Sequence, residues 1–354
     1  MATRTRWAVL WFLVLISVVR SMDAVNFSVA AKQIIPEYGF TNVQMGILYT
    51  VFTAGYALFH LPGGWLGDTV GPRRMLTIAI LWWSVFTGLT AVAGSWWLAG
   101  LVLAGFWYHF VTDNPEEHPR VSAQELQHIR GGEQLEKRPT PWRAILTHPN
   151  VWLLMLANFG FGYGIYIFQS WFYLYLVNVR GFSIMQGGVL TTGPFIASAI
   201  LGPVGGWCSD VLVRRYDRTL GRRIVAVSGF LLAAFCLYLG AKAANPYTAV
   251  VMLSFGDGFL YFAGAAAVGT TIDIAGPHSG TVYGVVATVL QIGGAVAPTL
   301  TPMIAERFGW EAALHVAGFF AVVAACVWLF IDAQHRIGTT GTEQIEERQL
   351  AAAR

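Results

Sequence analysis

Apolar residues in this chain come in long blocks separated by short polar breaks. From Met75 to Val111 there is no Lys, Arg, Asp or Glu. As one helix that run would be about 55 Å long, against a hydrocarbon core of about 30 Å, so it must turn, and Gly94-Ser95 is the place. The same test along the chain predicts ten membrane-spanning helices, over about 7–32, 43–67, 75–93, 96–111, 150–177, 184–207, 224–243, 247–268, 279–302 and 312–331. Residues 112–149 interrupt the series with a polar stretch rich in Pro, Glu and Gln. Inside it Ser122-Ala123-Gln124-Glu125 forms a capping box, with Val121 and Leu126 as its hydrophobic staple, so a short surface helix should begin there and stop at Gly131-Gly132. The predicted organisation is an N-terminal bundle over 1–111, a cytoplasmic linker over 112–149, a C-terminal six-helix bundle over 150–336 and a cytoplasmic tail over 337–354.

Composition removes the soluble alternative, because apolar residues make up 55% of the 354 and charged residues only 12%, about half the usual quarter. The basic residues set the orientation. With both termini inside, seventeen Lys and Arg fall on cytoplasmic segments and four (Lys32, Arg180, Lys242, Arg307) on outer loops, with Arg20 inside a span. The net charge of +3 is therefore a topology signal, with no nucleic-acid patch in it. A cleaved leader over residues 4–19 is disfavoured, because no small-residue cleavage pattern follows and the apolar stretch resumes after Asp23. Cys208, Cys236 and Cys326 fall on separate predicted spans without pairing or ligand spacing, and the eight histidines form no metal grouping, so no metal site is expected. Gly160-x-Gly162-x-Gly164 lies inside an apolar helix and follows no strand, which points to close helix packing. With no GxxxxGK[ST] segment, neither ATP-driven transport nor a cofactor-dependent enzyme is supported.

One sentence of sequence is written twice. Gly63-Gly64-Trp65-Leu66-Gly67-Asp68 is followed by Gly71-Pro72-Arg73-Arg74, and Gly205-Gly206-Trp207-Cys208-Ser209-Asp210 by Gly221-Arg222-Arg223. Repeats of this kind at corresponding points of two halves are how many secondary transporters are built. The first copy resembles the signature between the second and third spans of the major facilitator superfamily. Further stretches resemble its anion:cation symporter branch: Ser21-Met22-Asp23-Ala24-Val25-Asn26-Phe27-Ser28, Tyr56-Ala57-Leu58-Phe59-His60-Leu61-Pro62, Ile272-Asp273-Ile274-Ala275-Gly276, Gln291-Ile292-Gly293-Gly294 through Pro298, and Asp113-Asn114-Pro115-Glu116-Glu117-His118-Pro119. The resemblance implies an all-α, two-bundle membrane transporter. It would carry a small organic anion, a sugar acid such as a hexuronate, aldonate or aldarate, with a proton or other cation, across a bacterial inner (plasma) membrane. The chain departs from that pattern in length. Four spans precede the linker and six follow it, giving ten instead of twelve, and the two signatures are only 142 residues apart. A junction near Gly100–Gly105 fuses what reads as the start of a fourth span to the end of a sixth. The family's fourth-span Arg and Gly-Glu-Ala segment have no counterpart. A transport-incompetent or sensor-like relative is therefore the alternative.

Few polar residues sit inside the predicted spans. Asp23 with Arg20 one turn before it reads either as a proton-coupling acid or as a structural ion pair. The family has Arg where this chain has Ala24, and Arg20 lies on nearly the same helix face, so it can supply the substrate-binding cation from a displaced position. By resemblance Asn26, Tyr56 and Gln291 belong to the substrate site, with interface packing the alternative for Tyr56 and a bond to another helix the alternative for Gln291, while Tyr163, Tyr166 and Gln169 either line a cavity or pack. Asp257 is open between a second titrating group and a packing acid, the latter preferred. Gly64, Asp68, Gly71, Arg73, Arg74, Gly206, Asp210, Arg222 and Arg223 form the expected cytoplasmic gate signature, with positive-inside topology as the simpler account of its arginines.

Overall fold

The structure, a computed structural model, describes residues 10–13, 16, 28, 31–90 and 140–337, the side chains of 52, 56, 59, 72 and 83–90 aside. Asp23, Arg20, Asn26, the residue 96–111 span and the helix expected from Ser122 lie outside the described residues, as does the tail beyond 337. Among the described residues the chain is helical, with no strand. It divides into two compact units, one of residues 1–23 with 62–139, the other of 24–61 with 140–354.

In the first unit, the second part of α1 (Asn42–Val70) ends at Gly71, whose φ of +100° turns the chain into α2 (Pro72–Thr90). Ile80 is buried there against Phe12, Ile16 and Leu76.

Among the described residues the second unit holds helical residues 31–38, the rest of α1 and, after the latter, eight α-helices: α3 (Trp142–Thr147), α4 (Pro149–Asn178), α5 (Ile184–Leu190), α6 (Thr192–Arg215), α7 (Arg218–Lys242), α8 (Pro246–Ala275), α9 (Ser279–Phe308) and α10 (Trp310–Trp328), with a single tight turn of helix over Gly276–His278. Side-chain caps start four helices where their residue types predict. Thr41 and Gln44 exchange backbone N–H bonds at α1, Ser183 and Gln186 do the same at α5, Asp217 accepts from Leu220 N at α7, and Asn245 precedes Pro246 at α8. The predicted span over 184–207 is two helices broken at Thr191, and α3 falls in the stretch read as linker. Six apolar stretches among the described residues are long enough to cross a membrane. Exposed Ile196, Ile200, Val204 and Trp207 recur every three or four residues along α6, a stripe that a bilayer would cover.

Two three-helix layers build the C-terminal part of this unit. In one, α8 packs between α6 and α7; in the other, α4 packs between α9 and α10; α7 meets α10, and α4 meets α8. Glycine lets these backbones touch. A Cβ on Gly162 would strike the Leu290 carbonyl of α9, one on Gly293 the Phe159 carbonyl of α4, and one on Gly205 the Phe262 carbonyl of α8. Toward the C-terminal end of α4, Met45 and Tyr49 of α1 and Ala31 bury against Trp171, Tyr173 and Leu174. α9 contains Pro298 and Pro302, and Pro302 cannot donate to the Pro298 carbonyl one turn back. Trp171 Nε1 donates to that oxygen instead, at 2.9 Å.

Arg180, in the turn after α4, closes the C-terminal end of α7. Its guanidinium donates to the carbonyls of Gly240, Ala241 and Ala243 and to the Tyr175 hydroxyl, so a cation sits on the carbonyl end of a helix. Gly162→Ala should destabilise the detergent-solubilised protein by about 1–3 kcal/mol through overpacking, while Gly188→Ala, with open space around its Cβ, should be neutral or stabilising by about 0.5–1 kcal/mol. Thermal unfolding of the two variants side by side checks the contrast.

Candidate functional site

Two groups of polar side chains stand out against the apolar helices of the second unit. The first is buried on the α4–α9 seam. Gly294 lies beneath the Tyr166 ring, where a Cβ would intrude, so the ring lies flat on α9 and its hydroxyl reaches Gln291. That hydroxyl accepts from Gln291 Nε2 at 2.9 Å and donates to its Oε1 at 3.2 Å. Both residues are buried, at 8% and 3% exposure. The amide keeps a second N–H and the other lone pairs beyond this pair, which is what binding a carboxylate or hydroxyl requires.

The expected neighbours are placed differently. Tyr163 is fully buried with its hydroxyl 3.4 Å from Thr301 and its ring 4.7 Å from that of Phe320, so it packs into α9 and α10 and does not join the pair. Gln169 is half-buried three residues beyond Tyr166 on α4. Tyr56 lies on α1, its side chain outside the described residues. A cleft of about 580 Å³ between α1 and α9 has an apolar lining. Its Thr50 and Thr299 hydroxyls bond each other at 2.7 Å, and Thr50 also donates to the Ala295 carbonyl, so the cleft offers an anion little.

The second group lies at the end of the helices that carries Asp210 and the α7 N-terminus. Arg222 Nη1 donates to Asp210 at 2.8 Å and to Ser209 Oγ at 2.9 Å, and its Nε donates to Asp273 of α8 at 3.0 Å. Gly269 clears room for the guanidinium, since a Cβ there would lie 2.5 Å from Cζ. The two arms differ in worth. Asp210 is 63% exposed and its arm is screened, whereas Asp273 at 18% and Arg222 at 11% form a desolvated pair. Asp273 and Ser209 were missed as site residues, although an acid closing an apolar span was the available signal. In the second glycine pair, Gly205 makes the close approach to α8, and Gly206 has only Ala265 within reach at 3.9 Å. Gly64, Asp68 and the Arg73–Arg74 pair occupy the corresponding end of α1 and start of α2 in the first unit.

Beside Arg222, the segment 329–337 folds back onto three helices. Asn150 at the start of α4 donates to the Asp332 carbonyl at 2.7 Å and accepts from its N–H at 3.0 Å. Thr219 donates to Asp332 Oδ1 at 2.6 Å, Arg223 to the Ile331 carbonyl, and Ile337 N to the Ile274 carbonyl of α8. His148, which precedes α4, sets its ring edge-on to His335 at 4.5 Å. Burial, and then the neighbouring His335, lower His148 from 6.5 to about 4, against a smaller opposing pull from Asp332.

Nearly the whole length of the chain, residues 13–352, aligns with one family. The Major Facilitator Superfamily matches over residues 13–112, 98–217 and 186–352. The chain belongs to that superfamily. This makes it a multi-pass, all-helical membrane transporter-family protein, and the fold expected from the apolar blocks is the one found. The "Probable sulfoacetate transporter SauU" of Cupriavidus necator is 29% identical over 93% of this chain and 94% of its own length. The "Probable galactarate/D-glucarate transporter GarP" of Escherichia coli is 26% identical, covering 92% and 94%. The hexuronate transporter of Bacillus subtilis is 24% identical, again over 92% and 94%. Among solved structures, a bacterial homologue of the human lysosomal transporter Spinster superposes with a TM-score of 0.57 at 15% identity, over 94% of this chain and 98% of that one.

Two outcomes follow from this geometry. Asp273→Asn should cost about 1–3 kcal/mol, because Arg222 stays buried with a partner removed, whereas Asp210→Asn should cost under about 1 kcal/mol; unfolding of both variants by one thermal assay tests the ranking. Unfolded His148 takes its proton near 6.5 and the folded residue near 4, so its contribution holds at neutral pH and is lost as pH falls through that window. Hydrogen exchange of residues 329–337 should quicken between pH 6.5 and 4 beyond the intrinsic trend, and His148→Phe should remove the excess.

Proposed function

We propose that the protein is a secondary active transporter of a small organic anion, a sugar acid such as a hexuronate, aldonate or aldarate, coupled to protons and working by alternating access. The observation that carries this reading is chemical. Three of the relatives aligned over nine-tenths of the chain are named for sulfoacetate, galactarate or glucarate, and hexuronate, all compact anions bearing carboxylates. The Tyr166–Gln291 pair supplies neutral donors in a buried setting suited to such a group, with Tyr56, Gln169 and Asn26 as further polar partners and Arg20 as the cation. Asp23 is the coupling acid in this reading. Tyr163, engaged by Thr301, holds α4 against α9 behind the pair. The repeated Gly/Asp/Arg signatures lock the cytoplasmic ends together until the inner side opens, both termini being cytoplasmic and the membrane the bacterial inner membrane.

A second reading, a transport-incompetent or sensor-like relative, is favoured by one observation. The alignment with the sulfoacetate transporter runs over 413 positions against a chain of 354 residues, so at least 59 internal positions of that relative meet no residue here. This supports an internal loss of about two spans, each of about 20 residues plus loops.

Counterflow of a labelled anion panel (hexuronates, aldonates, aldarates, sulfoacetate) in proteoliposomes separates the readings. The wild type should exchange at least one member, and Gln291→Leu should raise its apparent KM about tenfold, the worth of one lost hydrogen bond to a charged group. Correct insertion with no exchange of any member sinks the transport reading.

A further inference from the structure

One acid inside the C-terminal helices has no part in the site described above. The spans over 150–178, 192–209, 224–241 and 279–305 contain no Asp, Glu, Lys, Arg or His. Asp257 of α8 stands among them. It lies eleven residues into the helix, about 17 Å from its N-terminal end at 1.5 Å per residue, and so near the middle of a span. It is 2% exposed, and no hydrogen bond or ion pair to it is found among the described residues.

The packing around Asp257 explains the burial. Leu260 and Gly264 of α8 meet Gly164 and Phe161 of α4, and residue 257 shares that face, seven positions before Gly264. On either side, Gly256 meets Leu237 and Cys236 of α7, and Gly258 meets Leu201 and Ala197 of α6. Two glycines thus draw two helices over the flanks of one carboxyl. The titratable side chains these helices hold near that level, Tyr163 and Tyr166 of α4, Cys236 and Tyr238 of α7 and Tyr261 of α8 itself, are neutral types. Ser254, one turn earlier on α8, has a buried hydroxyl without a partner.

Among the described residues no cation answers the charge of a carboxylate placed like this, and such intramembrane acids mark ion pathways. A metal ion needs several oxygen ligands, and this setting offers a carboxyl and a serine. A proton needs only the carboxyl. We propose that Asp257 takes up and releases a proton in each transport cycle, as the proton-carrying group of the C-terminal helices in addition to Asp23. One proton adds to the carboxylate from one side of the membrane and leaves from the carboxylic acid to the other, with no other bond changed. The proposal rests on the transport reading.

The test compares two assays on wild type, Asp257→Asn and Asp257→Glu in proteoliposomes. Counterflow at equal pH moves substrate without net proton transfer; accumulation under an imposed proton gradient, with a pH dye in the lumen, requires it. Asp257→Asn should keep counterflow within about twofold, and should lose gradient-driven accumulation and substrate-induced proton entry by about tenfold or more. Asp257→Glu should restore both. A sodium gradient in place of the proton gradient should drive nothing in any variant, and sodium-driven uptake abolished in Asp257→Asn would overturn the assignment of the ion. Unchanged proton coupling in Asp257→Asn overturns the proposal alone. Equal loss of counterflow and accumulation, unrescued by Glu, also overturns it and makes Asp257 a packing residue. Absence of counterflow in the wild type removes the transport reading and this proposal with it.

Discussion

The approach of α4 to α9, backbone against backbone, is the constraint on which the rest of the second unit depends. Gly162 and Gly293 leave no room for a Cβ at the facing carbonyls, and Gly294 accepts the face of Tyr166. Lipid gives two apolar helices no hydrophobic reason to associate, so such interfaces rely on close packing and on hydrogen bonds that cross them. The seam has both. Its crossing bonds are Tyr166 with Gln291, Trp171 with the Pro298 carbonyl and Tyr163 with Thr301. Each joins an aromatic of α4 to a group on α9, and each depends on the glycines having brought the helices close enough.

Proline in α9 and charge at the helix ends obey the same accounting. A bilayer leaves no water for a freed carbonyl, so the donor lost at Pro302 is replaced from a neighbouring helix. Charges on the described C-terminal helices, Asp257 apart, are kept toward the ends, where three arginines find counterparts: Arg180 on the last carbonyls of α7, Arg222 between Asp210 and Asp273, Arg223 on Ile331. Asp257, buried near the middle of α8, departs from this placement.

How much of this was legible in the sequence depended on range. The six C-terminal helices showed as apolar blocks with polar or glycine breaks, and Asn245-Pro246 and Gly309 mark ends that the structure keeps. Their true ends lie further out, at Arg218, Ala275 and Phe308, because a backbone ladder does not stop where the lipid does. The reading took charged residues as borders and cut the helices short. Gln291 was visible as an amide in an apolar helix, but its partner Tyr166 is 125 residues away and only packing could pair them. Asp273 was seen as part of a motif and not as the counter-charge of Arg222, for the same reason. The break at Thr191 and the short α3 carry no strong local signal; Trp142 reads as an isolated aromatic in a polar stretch.

The return of residues 329–337 to Asn150 has a consequence for how the chain is made. Residues 182 apart in sequence share two hydrogen bonds, both between the Asn150 side-chain amide and the Asp332 backbone, so the first long helix of the C-terminal series is tied to the turn after the last. A ribosome delivers α4 into the membrane long before it has made Asp332. Until then the start of α4, the start of α7 and the end of α8 wait with groups that only the late segment satisfies. Assembly of these helices is thus written to finish from the C-terminal side, and chain order becomes a quality check: a nascent chain stopped anywhere before this turn inserts its helices yet leaves their ends unclosed.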